Sequence, residues 1–265
     1  METITRIACP FALLAALCGC SAIVDLSDKR RTEEMHVQLS GFAPFADACY
    51  ELRLINTDTG IAEARAVLDG TKTDSEESVP LRIVSAMDPG ADYIVQVHVD
   101  EFGDAGCDGT FDFAFEAEPA DGPERFFVVD LSAPPESVET PGALGGDFIM
   151  DFRQMNPHPD QQMELMLIDE ETGRGVGYYY TAGIENEGDD PENIEFQIRI
   201  PGVIQAGHYY TVEFYADVDD NSWYTPPDAD GGFVDHSWIR GFSASSSGLT
   251  AEFVHALPFD ELSVF

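Results

Sequence analysis

From Met35 onward, apolar residues recur at every second position in short runs, and each run stops at a cluster of Gly, Pro, Asp or Asn. Alternation with period two puts apolar side chains on one face of a strand, whereas a helix spaces them three and four apart. No stretch of useful length carries the helical spacing. The pattern predicts strands over 35–40, 50–56, 62–68, 79–84, 92–100, 111–117 and 125–131 in the first half. In the second half it predicts 147–153, 163–169, 177–181, 194–200, 209–216, 237–243 and 249–256. Seven short strands per half is a sandwich count. The expected fold class is all-β, as two tandem seven-stranded Greek-key β-sandwich domains over 35–131 and 147–265. Ser132 to Gly146, rich in Pro and Gly and without periodicity, is the expected linker.

The second half repeats the first. Glu51-Leu52-Arg53-Leu54-Ile55-Asn56, ending at Thr59-Gly60, matches Glu164-Leu165-Met166-Leu167-Ile168-Asp169, ending at Thr172-Gly173. Gly90-Ala91-Asp92-Tyr93-Ile94-Val95 likewise matches Gly207-His208-Tyr209-Tyr210-Thr211-Val212. A period of about 115 residues means two copies of a domain, because solenoid units are far shorter. Tyr93 and Tyr210 stand where a sandwich places a tyrosine corner, with the hydroxyl bonded back to nearby backbone. Gly-x-x-Tyr-x-Val running into an Asp-rich turn resembles the immunoglobulin-like and transthyretin-like repeats of bacterial surface proteins. It is also similar to a bacterial domain of unknown function with the signature Gly-x-Tyr-x-Val-x-x-Phe-x-Asp-x-Asn-x-Asn-Gly, whose final Gly is Ser222 here. The resemblance implies an immunoglobulin-like sandwich and says little about function.

Composition supports a packed fold and restricts its partners. Apolar residues make up 44% of the chain and aromatics 11%, enough for a core, while the net charge is −37 with Lys29 and Lys72 the only lysines. Such a field repels nucleic acid and anionic headgroups, so no nucleic-acid partner is expected. Acidity spread along the whole chain reads as a surface kept soluble in a salty or divalent-rich medium.

The first twenty residues stand apart. Ile7 to Leu17 is an apolar run preceded by Arg6, too short for a bilayer span of about 20 residues and laid out as a secretory signal. Leu17-Cys18-Gly19-Cys20 resembles the lipobox of bacterial lipoproteins, from which Cys18 and Glu2 depart. That resemblance implies a signal peptide over 1–20, lipidation of Cys20, a polar tether over 21–34 and, with Ser21, attachment to an outer membrane on its periplasmic or surface face. The other reading is an ordinary cleaved signal. Cys9 and Cys18 would leave with the signal, so Cys49 and Cys107 remain as a disulfide pair or as two buried thiols.

The densest chemistry follows Ala216. Asp217, Asp219 and Asn221 supply three oxygen ligands at alternate positions, and six acids fall between Asp217 and Asp235. Calcium takes six to eight oxygens. Counted from Asp217, position seven offers the Trp223 carbonyl and position twelve falls on Asp228, but Pro226 and Pro227 forbid the exit helix of an EF-hand. The expectation is a calcium loop between strands, closed by Asp228, Asp230 or Asp235; a solvated acidic turn is the other possibility. In the first copy Asp100 stands at the Asp217 position and Phe102 at that of Asp219, while Cys107 lies in the same loop. A disulfide in one copy and an ion in the other would then close equivalent loops.

Other constellations carry less. Asp235-His236 could serve a zinc site or a general base, the basis of an alternative reading as a metal-assisted hydrolase centred on His236 and neighbouring acids. Met150, Met155, His158, Met163 and Met166 could ligate copper, but the methionines alternate as residues of the second domain's core do, and that reading is preferred. Trp223, Tyr224, Trp238 and Tyr178-Tyr179-Tyr180 could form stacking platforms for sugars or proteins, against a reading as half core and half sheet face. No His-Glu-x-x-His, phosphate-cradling loop or dinucleotide fingerprint occurs. The sequence therefore points to a non-enzymatic envelope lipoprotein, a structural or adhesion-type module for a glycan or protein ligand, needing calcium and no organic cofactor.

Overall fold

The computed structural model of the chain describes residues 33–41, 48–69, 79–100, 111–119, 126–135, 137–188, 192–228, 232, 234–255 and 257–265. The expected signal, Cys20, Cys107 and Asp230 lie outside them. Among the described residues the chain forms strands and turns and no helix. The first half gives β1 (Glu33–Ser40), β2 (Cys49–Asn56), β3 (Ile61–Asp69), β4 (Val79–Met87), β5 (Tyr93–Asp100), β6 (Phe113–Ala117) and β7 (Phe126–Asp130). Between the halves lies the two-residue β8 (Gly142–Ala143). The second half gives β9 (Gly146–Arg153), β10 (Met163–Asp169), β11 (Arg174–Thr181), β12 (Phe196–Ile204), β13 (Tyr209–Ala216), β14 (His236–Ser243) and β15 (Leu249–Val254). Every run expected to be a strand overlaps one of these, and β8 falls inside the stretch read as linker.

The pairing of the first half recurs in the second. β4-β1-β7 form a small sheet and β3-β2-β5-β6 part of a larger one; β12-β9-β15 and β11-β10-β13-β14 repeat the arrangement. Turns repeat with the strands. Gly60 N–H donates to Asn56 O at 2.8 Å and Gly173 N–H to Asp169 O at 2.7 Å, with both glycines at positive φ, 66° and 69°. The two tyrosines act alike: Tyr93 Oη accepts from Asp88 N–H at 3.1 Å and Tyr210 Oη from Gln205 N–H at 2.7 Å.

The halves are fused through their larger sheets. β11 pairs in parallel with β3, from Gly177 opposite Arg65 to Thr181 opposite Asp69, and a nine-stranded sheet results. Its two faces carry separate cores. Tyr50, Leu52, Leu54, Ala66 and Leu68 pack under the first small sheet, with Met35, Val37 and Leu39 of β1. Val67, Leu165, Leu167, Val212 and Phe214 pack on the other face, with Phe148, Met150 and Phe152 of β9. Because successive side chains of a strand point to opposite faces, the neighbours Tyr178 and Tyr179 enter different cores. The fold is sandwich-like, with the small sheets on opposite sides of a shared one.

Covering both faces of the junction obscures the alternation there. β2 is buried from Cys49 to Asn56, so its outward-facing Glu51 and Arg53 lie under protein where a lone sandwich would leave them in water. The segment around β8 contributes to that cover. Gly142 pairs with Ile61 of β3, and Gln96 donates to the carbonyl of Glu139 at 3.2 Å.

Candidate functional site

β13 ends at Ala216, opposite His236 at the start of β14, and the intervening loop folds back on its own acids. Asp217 Oδ2 accepts from Ser222 N–H at 2.7 Å and Oδ1 from Asn221 N–H at 3.3 Å. Asp235 spans the loop from the other end, accepting from Val218 N–H at 2.9 Å and Thr225 N–H at 2.7 Å. Asp219 Oδ2 accepts from Asn221 Nδ2 at 3.0 Å and from Thr225 Oγ1 at 3.3 Å. Asp220 and Ser222 take left-handed backbone, with φ of 55° and 68°. Asp tolerates that region because its short side chain can bond locally.

Asp217, Asp219 and Asp235 each offer a carboxylate oxygen within 4.8 Å of the others, Asp217 and Asp235 buried and Asp219 exposed. Burial pushes the Asp217 carboxyl above its ordinary value, Ser222 and Asn221 N–H groups oppose this, and Asp235 adds to it. Each carboxylate oxygen has two lone pairs, so an accepted N–H leaves one for a cation. The remaining expected ligands sit differently. Asn221 Oδ1 accepts from Trp223 N–H at 2.7 Å, and Trp223 is 69% exposed. Asp228 makes its own turn with Gly232, whose N–H it accepts at 2.7 Å.

Beside this loop a second cluster forms from residues far apart in sequence. His158 lies in the β9–β10 connection, His236 opens β14 and His255 follows β15, whose Val254 is paired with Arg153 at the end of β9. Each ring offers a nitrogen within 4.8 Å of the others, with His158 fully buried and the other two half-buried. His158 Nδ1 bonds Gln161 Oε1 at 2.8 Å, and His158 Nε2 lies 3.3 Å from His236 Nδ1. Phe259 stacks on His236 at 3.9 Å, and Trp238 stands edge-on to His158 at 5.8 Å. Burial lowers the pKa of all three rings, that of His158 to about 4, so they are neutral at neutral pH. Asp235, the acid next to His236, is turned into the Asp loop with both oxygens engaged.

The repeated glutamates are both held by side-chain hydrogen bonds, Glu51 buried and Glu164 half-buried. Glu51 takes hydrogen bonds from Arg53 Nε at 2.8 Å and from Arg65 Nη1. Glu164 takes them from the hydroxyls of Tyr178 at 2.6 Å and Tyr215 at 2.7 Å. Burial raises the Glu164 carboxyl; at Glu51 it acts in the same direction, but the two guanidiniums outweigh it and hold the carboxyl below its ordinary value.

Cys49 is disulfide-bonded. Met150, Met155, Met163 and Met166 are all core residues. Trp238 is fully buried, which leaves Trp223 as the exposed member of the aromatic set. Sequence reasoning considered His158 and His236 separately and passed over His255. Only the topology could have joined them, since the connection after β9, the start of β14 and the residue after β15 each bring one histidine to the cluster. The chain matches no family model, and no curated protein is similar to it in sequence.

Proposed function

We propose that the protein is an exported lipoprotein of the cell envelope, anchored through Cys20, whose tandem Greek-key immunoglobulin-like sandwiches act as a rigid structural or adhesion-type module. A calcium ion held by Asp217, Asp219 and Asp235, with Asn221 beside them, stiffens the loop at one edge of the second sandwich. The observation that carries this reading is the convergence of those three carboxylates inside one backbone-capped loop. A hard, oxygen-only ligand set suits calcium more than a transition metal. Trp223 projects from the same loop, where a large exposed ring suits contact with a glycan or protein ligand. Fusion of the larger sheets favours a stiff spacer over two jointed domains.

The anchor has a direct test. Expressed in a Gram-negative bacterium, the full chain should partition into detergent with the membranes and yield an N-terminal peptide carrying acylated Cys20. Cys20→Ala should move the protein to the soluble fraction. An unacylated N-terminus, or a Cys20→Ala protein that still follows the detergent, would overturn the anchor.

A further inference from the structure

We propose that His158, His236 and His255 form a second metal site, which binds one divalent transition-metal ion of the zinc class independently of the acidic loop. Three imidazoles from three separate elements converge with ligand nitrogens within 4.8 Å of one another. Tetrahedral zinc with Zn–N bonds near 2.05 Å sets its nitrogens about 3.3 Å apart. His158 Nε2 and His236 Nδ1 already stand at that spacing, 3.3 Å apart. The third ring, His255, also offers a nitrogen within 4.8 Å of the pair.

Two further features point to a ligand. Gln161 Oε1 fixes the His158 tautomer, because its bond at 2.8 Å requires the proton on Nδ1 and leaves the Nε2 lone pair facing the cluster. Metal-ligating histidines characteristically carry such an outer partner. His255 Nε2 is buried without a hydrogen-bond partner among the described residues, and a buried polar atom left unpaired is unfavourable unless something binds there. Ring walls from Trp238 and Phe259 surround the cluster. No acid joins it among the described residues, so the donor set is all-nitrogen, which suits zinc, copper or nickel and not calcium. Three protein ligands leave a fourth position for water or an external donor.

Cobalt and zinc titrations of the full chain provide the test, with calcium present to fill any oxygen site. One equivalent of cobalt should give the intense visible bands of four-coordinate nitrogen ligation, and zinc should displace it stoichiometrically. Half-buried His255 and His236 are the safer substitutions: His255→Ala and His236→Ala should weaken zinc binding at least tenfold with the cooperative melt retained. Gln161→Ala should weaken it by about tenfold to a hundredfold through the outer partner. Asp219→Ala should leave it unchanged. Six-coordinate cobalt spectra, or zinc affinity that survives His255→Ala and falls with Asp219→Ala, would overturn the proposal and leave the calcium reading untouched.

Discussion

Arg174→Ala should lower the free energy of unfolding by about 3–5 kcal/mol, because it leaves a mostly buried carboxylate without its counter-charge. Arg174 begins β11 in the second half, yet its guanidinium serves the first. Nη2 donates to Glu63 Oε2 at 2.7 Å, to the Ala86 carbonyl at 2.5 Å and to Tyr93 Oη at 3.4 Å. Nη1 donates to Asp88 Oδ2 at 3.0 Å. Burial works against its charge, but Glu63, Tyr93 and Asp88 together outweigh burial and raise its pKa. Glu63 is 13% exposed, too dry to be re-solvated cheaply when the arginine goes. The melting temperature should fall by roughly 10 °C. Urea unfolding of Arg174→Ala, Glu63→Gln and the double variant measures the coupling; a loss below about 1 kcal/mol would class the contact with surface pairs and remove it from the junction.

Glu51→Gln should have an effect of similar size on the other side of the shared sheet. Arg53 and Arg65 are 8% and 6% exposed, and Glu51 is their shared acceptor. A neutral amide of the same shape keeps the packing and leaves two buried guanidiniums repelling each other, for a loss of about 3–5 kcal/mol. The pH dependence follows from the depressed Glu51 carboxyl. Its stabilisation is complete above the unfolded value near 4.5 and is lost as pH falls through the lower folded value. The wild-type chain should therefore lose stability below about pH 4.5 more steeply than Glu51→Gln. Parallel slopes in acid would show that the ion triad does not carry the effect.

Strand positions were legible where a strand alternates against a single core, as β1 and β9 do. Where β2, β3 and β11 are covered on both faces, alternation no longer separates inside from outside. The repeat shows Glu51 and Glu164 only as matched positions, and Tyr178 and Tyr179 read as half core and half sheet face although each fills a different core. The Asp217–Asp219 pair was visible because its members are neighbours along the chain. Asp235 enters that loop only through the pairing of β13 with β14. The histidine cluster was hidden for the same reason in stronger form: its members are held together by strand register at one edge of the second half, and no local pattern records register. The hairpin at Asn56–Gly60 could be read twice because turn chemistry is local and recurs at Asp169–Gly173.

The measurement that bears most directly on the central claim is a thermal melt of the chain stripped with EDTA, then supplied with calcium or magnesium. Calcium at about a hundred times its dissociation constant should add roughly 2.7 kcal/mol. That is a rise of several degrees, greater than with magnesium, absent in Asp219→Ala and intact in His255→Ala. No calcium-dependent rise, or an equal rise in Asp219→Ala, would contradict the account and reduce the acidic loop to a solvated turn.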